Sequence, residues 1–197
     1  MHWLSLFLLA WIGVAAGQQR GPVDIAGVRF DERARIGAAE SVLNGAGLRS
    51  VLGIKFYVIG VYLPQKQTNP NEVLRIRGAK RLQIVTLRDL TTDMFAVDLV
   101  KGMRRNLSEA EFNGLRKNIE MLSAAVHATD HAPRGSVIQF DWLPAAGAGA
   151  VTRLSVNGLQ RGKDIPGEAF FQALLKVWLG KKVNDPALRN ALLGRTS

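Results

Sequence analysis

One ten-residue stretch constrains the fold of this chain more than any other. It is IKFYVIGVYL, from Ile54 to Leu63, and its many β-branched and aromatic residues predict a β-strand. Side chains alternate between the two faces of a strand, and both faces of this one are mostly apolar. A strand that is apolar on both sides is usually covered on both sides. The 197 residues are enough for one domain built around such a strand.

The remaining segments predict an α+β domain. The run just before the central strand, residues 44–50 (NGAGLRS), has the composition of a turn. Asn157-Gly158 suits the tight turn of a hairpin, and Asp185 followed by Pro186 is typical of a helix start. Further strands are expected at residues 23–30, 81–90, 136–144 and 151–162, and helices at 91–105, 108–132, 165–180 and 185–194. This order favours an antiparallel sheet with helices layered on one face.

The first helix after the central strands is expected to bury one apolar side. Its buried residues are predicted to be Met94, Val97, Val100 and Met103, with Asp98, Lys101 and Arg105 on the opposite, polar side. The second helix should begin at Ser108, because Glu111 three residues later completes a capping box.

The N-terminus indicates export. Trp3 to Ala16 is an uncharged apolar run with the length of a signal-peptide core, and small residues stand at Ala15, Ala16 and Gly17. The run is shorter than the ~20 apolar residues that span a bilayer. We therefore predict a cleaved signal peptide at residues 1–17, a single domain at 18–197, and a periplasmic or secreted protein. An uncleaved apolar tail that acts as a loose anchor is the alternative.

Composition excludes several classes of function. The chain has a net charge of +10, but its Lys and Arg residues are scattered and no aromatic residues alternate with them, so a nucleic-acid partner is not expected. The basic surface leaves a weak contact with anionic membranes open. There is no cysteine to form a disulfide or a thiolate nucleophile. His127 and His131 lie four residues apart without an evident third ligand, so neither a metal nor a cofactor is expected.

Arg49 and Tyr57 are the candidate site residues. A guanidinium keeps its charge when it is buried, and it then needs an anionic or multiply accepting partner. Arg49 is otherwise a surface residue, or one paired with a structural carboxylate such as Glu40. A fixed cation and a phenol above an apolar surface can together bind a carboxylate or an enolate whose tail lies in an apolar slot.

The stretch LNGAGLRSVLGIKFYVIGVYLP resembles a segment of chalcone-isomerase-fold proteins, which reads G-A-G-x-R, a short spacer, then [IV]-K-[FV]-x-x-x-G-[VL]-Y. The resemblance continues in LRDLTTDMFAVDLVKGM, SVIQFDWLP, VNGL and IPGEAFFQALLKVWLG, and it covers roughly residues 24–194. The pattern is most similar to the short, exported bacterial branch of the chalcone-isomerase-like family. The resemblance implies an open-faced β-sandwich, in which a large antiparallel sheet is backed by a layer of helices.

The resemblance also implies roles for individual residues. Arg49 stands where the plant enzymes have the arginine that orients the chalcone. The enzymes have a threonine at the position of Tyr57, whereas the fatty-acid-binding relatives have an arginine and a tyrosine at these two places, which hold the ligand carboxylate. A tyrosine and an asparagine of the enzymes fall at Met94 and Lys101, which the resemblance places along the cleft. Met94 has no proton to donate, so the match favours a binder.

Three functions are therefore carried forward. The preferred one is non-catalytic binding of a small apolar carboxylate, such as a fatty acid, in a cleft between the sheet and the helices. The alternative is an intramolecular lyase or isomerase of chalcone-like substrates, in which Arg49 stabilises a developing oxyanion. The third is a peripheral module that binds anionic lipid head groups through its basic surface.

Overall fold

A computed structural model of the chain describes residues 21–129, 131–144 and 149–195. The predicted signal peptide at residues 1–17 lies outside these ranges. Within them, the strands are β1 (Val23–Ile25), β2 (Val28–Phe30), β3 (Arg33–Ile36), β4 (Ala39–Val51), β5 (Ile54–Leu63), β6 (Lys80–Thr86), β7 (Leu90–Thr91), β8 (His131–Ala132), β9 (Val137–Leu143), β10 (Val151–Val156) and β11 (Leu159–Pro166). The helices are α1 (Pro70–Arg75), α2 (Thr92–Asn106), α3 (Glu109–Gly114), α4 (Arg116–His127), α5 (Glu168–Leu179) and α6 (Pro186–Leu192).

The centre of the fold is a seven-stranded antiparallel sheet with the order β11-β10-β9-β6-β5-β4-β3. Strand β5 has neighbours on both edges, and residues 58–63 are buried. Ile59 and Val61 belong to the main core beneath the helices, whereas Val58 and Tyr62 belong to a smaller cluster on the other face, together with Phe30 of β2. The expectation that this strand is covered on both sides is confirmed for residues 58–63.

The helices form a layer on one face of the sheet. Helix α2 packs against α4 and α5, α4 packs against β11, and α6 lies on β4. The architecture is the expected open-faced β-sandwich, an antiparallel sheet backed by helices. None of the helices in the described ranges has the length and apolarity that crossing a bilayer requires.

The prediction of a turn at residues 44–50 is wrong, because these residues lie within the thirteen-residue strand β4. A Cβ atom on Gly45 would overlap the carbonyl oxygen of Ala191 in α6. A Cβ atom on Gly47 would lie 2.6 Å from Cδ1 of Leu188 in the same helix. The two glycines therefore allow a helix to approach the strand closely, and they do not turn the chain.

The predicted buried side of α2 is partly wrong. Met94 and Val97 are exposed, and the buried residues are Phe95, Ala96, Leu99, Gly102 and Met103. The reason is the close approach of α5, since a Cβ atom on Gly102 would lie 2.7 Å from Cγ1 of Val177. The contact surface of α2 is therefore marked by a glycine, which a pattern of apolar side chains does not reveal.

The capping box at Ser108 and Glu111 is confirmed, and so are the Asp185 cap of α6 and the Asn157-Gly158 hairpin. The helix that begins after Ser108 is interrupted at Leu115, so the expected single helix is the pair α3 and α4.

Candidate functional site

A pocket opens where β4 and β5 meet the helices α2, α5 and α6. Two of the sequence-predicted site residues, Arg49 and Tyr57, lie in its wall. They are directly opposite each other on neighbouring antiparallel strands, so their side chains share the face beneath the helices. The other lining residues are Phe95, Asp98, Leu99, Arg105, Val177, Trp178, Val183, Asn184, Asp185 and Leu188.

Tyr57 is held in place by a tryptophan of α5. The indole Nε1 of Trp178 donates a hydrogen bond to the Tyr57 hydroxyl oxygen over 2.9 Å. Burial raises the pKa of Tyr57 to about 12, so the phenol keeps its proton at neutral pH. Among the described residues, the Tyr57 hydroxyl donates no hydrogen bond of its own. Its hydrogen is therefore available to a ligand.

Arg49 makes one long contact with a carboxylate. Its Nη1 lies 3.5 Å from Oδ2 of Asp185, while Oδ1 of Asp185 accepts a hydrogen bond from the backbone N–H of Leu188 and caps α6. The Arg49 and Asp185 side chains are 20% and 22% exposed, so the pair faces the pocket mouth. Glu40, the partner considered from the sequence, instead pairs with Arg33. Arg49 makes no other side-chain hydrogen bond or salt bridge with the described residues, so most of its N–H donors are not used.

The pocket carries balanced charge. Asp98 and Arg105 of α2 add one charge of each sign to the pair formed by Arg49 and Asp185. An anionic ligand is therefore not attracted by a net positive charge of the lining. To bind Arg49, such a ligand would have to compete with the carboxylate of Asp185, which also caps a helix.

Met94 and Lys101 do not belong to the described lining of this pocket, and both are exposed. A helix turns by about 100° per residue, so when Phe95 and Asp98 face the pocket, Met94 and Lys101 fall on the rim beside Asp98.

Reasoning from the sequence missed Trp178 and Asp185 as site residues. Trp178 falls within the helix expected at residues 165–180, and Asp185 was expected to cap the last helix. Both expectations are correct, but they do not reveal that the two side chains meet residues of β4 and β5 more than a hundred positions earlier in the chain.

The free space at the site is small. The centre of a water molecule can occupy about 50 Å³ of the pocket. A second cavity of about 20 Å³ lies under α2, and Phe95 contributes to the walls of both. The second cavity is mostly apolar, with a lining of Leu90, Thr91, Thr92, Phe95, Val126, Thr129, Ala132, Ile138, Leu154 and Val156.

No group of three His, Asp or Glu side chains suited to a metal occurs among the described residues. His127, one of the two histidines considered above, instead places its Nε2 2.8 Å from Oδ1 of Asp93 on α2.

The fold and the site together define a class of protein: an open-faced β-sandwich with a small pocket between its sheet and its helices, whose wall carries a guanidinium and a phenol. A family model described as chalcone isomerase-like matches residues 22–194, and the chain belongs to this family. Among solved structures, the chain is similar to a fatty-acid binding protein of Arabidopsis thaliana, with a TM-score of 0.64 and 16% identity over 87% of this chain and 95% of that one. At this identity the likeness shows a shared fold. No curated protein matches the chain.

Proposed function

We propose that this protein binds a small apolar carboxylate, such as a fatty acid, without transforming it. The observation that carries the proposal is the Tyr57 hydroxyl, which accepts from Trp178 and has its own hydrogen free beside Arg49. A carboxylate has two oxygens, so one can accept from Tyr57 and the other from the guanidinium. The fold shared with a fatty-acid binding protein supports the same choice.

The site is poorly suited to proton-transfer catalysis. A phenol whose pKa is raised to about 12 is a weak acid at neutral pH, and its conjugate base is scarcely populated. Met94 cannot transfer a proton, and neither Met94 nor Lys101 belongs to the described lining of the pocket. Arg49 could still stabilise an oxyanion, which is the basis of the alternative proposal, an intramolecular lyase or isomerase of chalcone-like substrates.

A native mass spectrum of the purified protein tests the preferred function. We expect a bound species with the mass of a small acid, and we expect cyclisation of a 2′-hydroxychalcone to be little faster than the spontaneous reaction. A rate enhancement above ~10³, equivalent to ~4 kcal/mol of barrier, would favour the isomerase instead.

The ligand tail has a defined direction in this proposal. The head group fits the free space beside Arg49 and Tyr57, but a long tail does not. The second cavity is mostly apolar, and Phe95 lines both this cavity and the site. A tail that extends from the site into this cavity must displace the Phe95 ring.

Phe95→Leu should therefore extend the range of acids that bind. In the natural protein, each methylene should add about 0.8 kcal/mol of affinity until the tail meets Phe95, after which the gain should stop. In the variant, the gain should continue for longer acids. Calorimetric titration with a series of straight-chain acids measures this dependence.

Phe112→Leu is the matched control, because Phe112 is as buried as Phe95 (both 8% exposed) and lines neither cavity. If both variants show the dependence of the natural protein, the tail does not pass Phe95. If no acid binds to any of the three, the proposed function itself fails.

We also propose that the protein is exported, on the basis of the apolar run from Trp3 to Ala16 and the small residues before Gln18. N-terminal sequencing of protein from its native host should begin at Gly17 or Gln18. An intact Met1 in a soluble cytosolic fraction would contradict this proposal.

A further inference from the structure

The turn between β4 and β5 presents an apolar tip to solvent. Leu52 is 97% exposed, and its neighbours Val51 and Ile54 are 41% and 48% exposed. Leu52 and Gly53 are the two central residues of the turn and have φ values of 51° and 78°. Two positive φ values in a two-residue hairpin loop identify a type I′ turn, in which asparagine or glycine is favoured at the first position.

The chain contains the same turn with a better-suited residue. Asn157 and Gly158 join β10 to β11 with φ values of 51° and 79°, and the Asn157 side chain accepts a hydrogen bond from the backbone N–H of Val137 over 2.8 Å. Leucine at the equivalent position is disfavoured by the backbone conformation and also by contact with water. The described fold gains nothing from this leucine, which points to a contact outside the fold.

The tip stands beside the mouth of the pocket. It lies two residue pairs beyond Arg49 and Tyr57, at a distance of about 10 Å along the strands. A β-bulge between the tip and the Arg49–Tyr57 pair places both Phe56 and Tyr57 against the core beneath the helices. Beyond the bulge, the side chains of β5 again alternate between the two faces of the sheet, but shifted by one residue. Ile54 and Val51 therefore project on the side of the sheet that carries the pocket.

Cations flank this tip. Lys55 follows it directly, and the guanidinium of Arg88 lies 5.2 Å from the centre of the Phe56 ring. Of the acidic residues that follow Arg88 in the chain, Asp89 accepts a hydrogen bond from the backbone N–H of Arg134, and Oδ1 of Asp93 lies 2.8 Å from Nε2 of His127. With a net charge of +10 on the whole chain, an anionic surface is the complementary partner.

We propose that the Val51–Ile54 tip, with Lys55 and Arg88, docks on an anionic phospholipid bilayer. Leu52 would enter the boundary between head groups and acyl chains, while the two cations contact lipid phosphates. A few apolar side chains are enough for such a contact, whereas a stable protein partner requires about 1,000 Å² of interface. Docking would hold the pocket mouth near the lipid surface. The inference does not depend on the identity of the pocket ligand.

The absence of cysteine makes a local test straightforward. An environment-sensitive fluorophore is attached to Leu52→Cys and, as a control, to Leu159→Cys, which lies at the other hairpin and is 63% exposed. With phosphatidylcholine vesicles containing phosphatidylglycerol, the label at position 52 should shift to the blue and the label at 159 should not. With phosphatidylcholine alone, neither should shift.

Three results would overturn the proposal. The first is an equal response at both positions, which would mean that docking is unspecific or arises from the N-terminal apolar run. The second is a shift at position 52 that needs no vesicles and grows with protein concentration, which would mean that the tip meets a second copy of the chain. The third is no shift at position 52 while the protein sediments with anionic vesicles.

Leu52→Asn provides a second, independent measurement. Asparagine suits the turn, so the melting temperature should stay the same or rise. Partition to anionic vesicles should fall by about ten-fold or more, because an apolar side chain that enters the bilayer is lost. Leu159→Asn should partition like the natural protein, and all variants are prepared with the same N-terminus. Unchanged partition of Leu52→Asn would also overturn the proposal.

Discussion

Replacing Gly45 by alanine should lower the free energy of unfolding by about 3 kcal/mol, the upper end of the cost of overpacking a core. The new Cβ atom would overlap the carbonyl oxygen of Ala191 and lie 2.7 Å from that of Leu192. Both are backbone atoms of α6 and cannot rotate away. The Asn44 side chain donates to the same Leu192 oxygen over 2.8 Å, so the clash falls where strand and helix are joined. Chemical denaturation measures the loss.

Helix α6 also carries Asp185 and Leu188 into the pocket wall, so Gly45→Ala should weaken ligand binding as well. Gly114→Ala is the matched control, because a Cβ atom there meets nothing within 4 Å, and it should leave stability unchanged or slightly higher. If Gly45→Ala unfolds like the natural protein, the close packing of α6 on β4 is contradicted.

The local sequence pattern was sufficient to predict the elements whose structure is determined by their own residues. Strand β5 follows from its own β-branched and aromatic residues, α6 begins where Asp185 caps it, and the Asn157-Gly158 turn has the positive φ values that its residues favour. In each case the residues that determine the structure lie within the element itself. Predictions of this kind need no knowledge of the tertiary partner.

The glycines of the NGAGLRS run show the limit of such reasoning. Glycine favours a turn when the backbone needs a positive φ, but it also allows another element to approach closely, and the sequence does not distinguish the two. At Gly45 and Gly47 the second cause applies, and the partner is a helix at the far end of the chain. Gly102 in α2 is a second example, since it marks the contact with α5.

The candidate site divides in the same way. The resemblance to chalcone-isomerase-fold proteins predicted Arg49 and Tyr57 as members of one site, but the residue pattern suggested a turn around Arg49 and so did not predict that it lies opposite Tyr57 on a paired strand. The Trp178 hydrogen bond and the Asp185 contact could not be predicted, because they depend on how α5 and α6 pack on the sheet. The positions of Met94 and Lys101 depend on the rotation of α2 about its axis, which the same packing sets.

Asp185→Asn tests whether the carboxylate of Asp185 competes with a bound acid. Asparagine caps a helix about as well as aspartate, so α6 should keep its start. The variant no longer presents a carboxylate to Arg49, so an anionic ligand should bind more tightly than it does to the natural protein. Weaker binding would mean that Asp185 itself helps to hold the ligand. Asp98→Asn removes a carboxylate from the same lining without touching Arg49, and it shows how much of the gain is a general charge effect.

Arg49→Ala should weaken the binding of a straight-chain acid by about 1.5–3 kcal/mol, the range for a hydrogen bond to a charged group. A fully buried pair would lose more, but Arg49 is one-fifth exposed. The same change should lower stability by less than about 1 kcal/mol, because a 3.5 Å pair at the pocket mouth is screened by solvent. Tyr57→Phe should weaken ligand binding and also lower stability, since it leaves the buried Trp178 N–H without its acceptor. Titrations with thermal melts in parallel separate these cases. If Arg49→Ala binds normally but melts far below the natural protein, Arg49 is a structural ion-pair residue and the proposed carboxylate site is wrong.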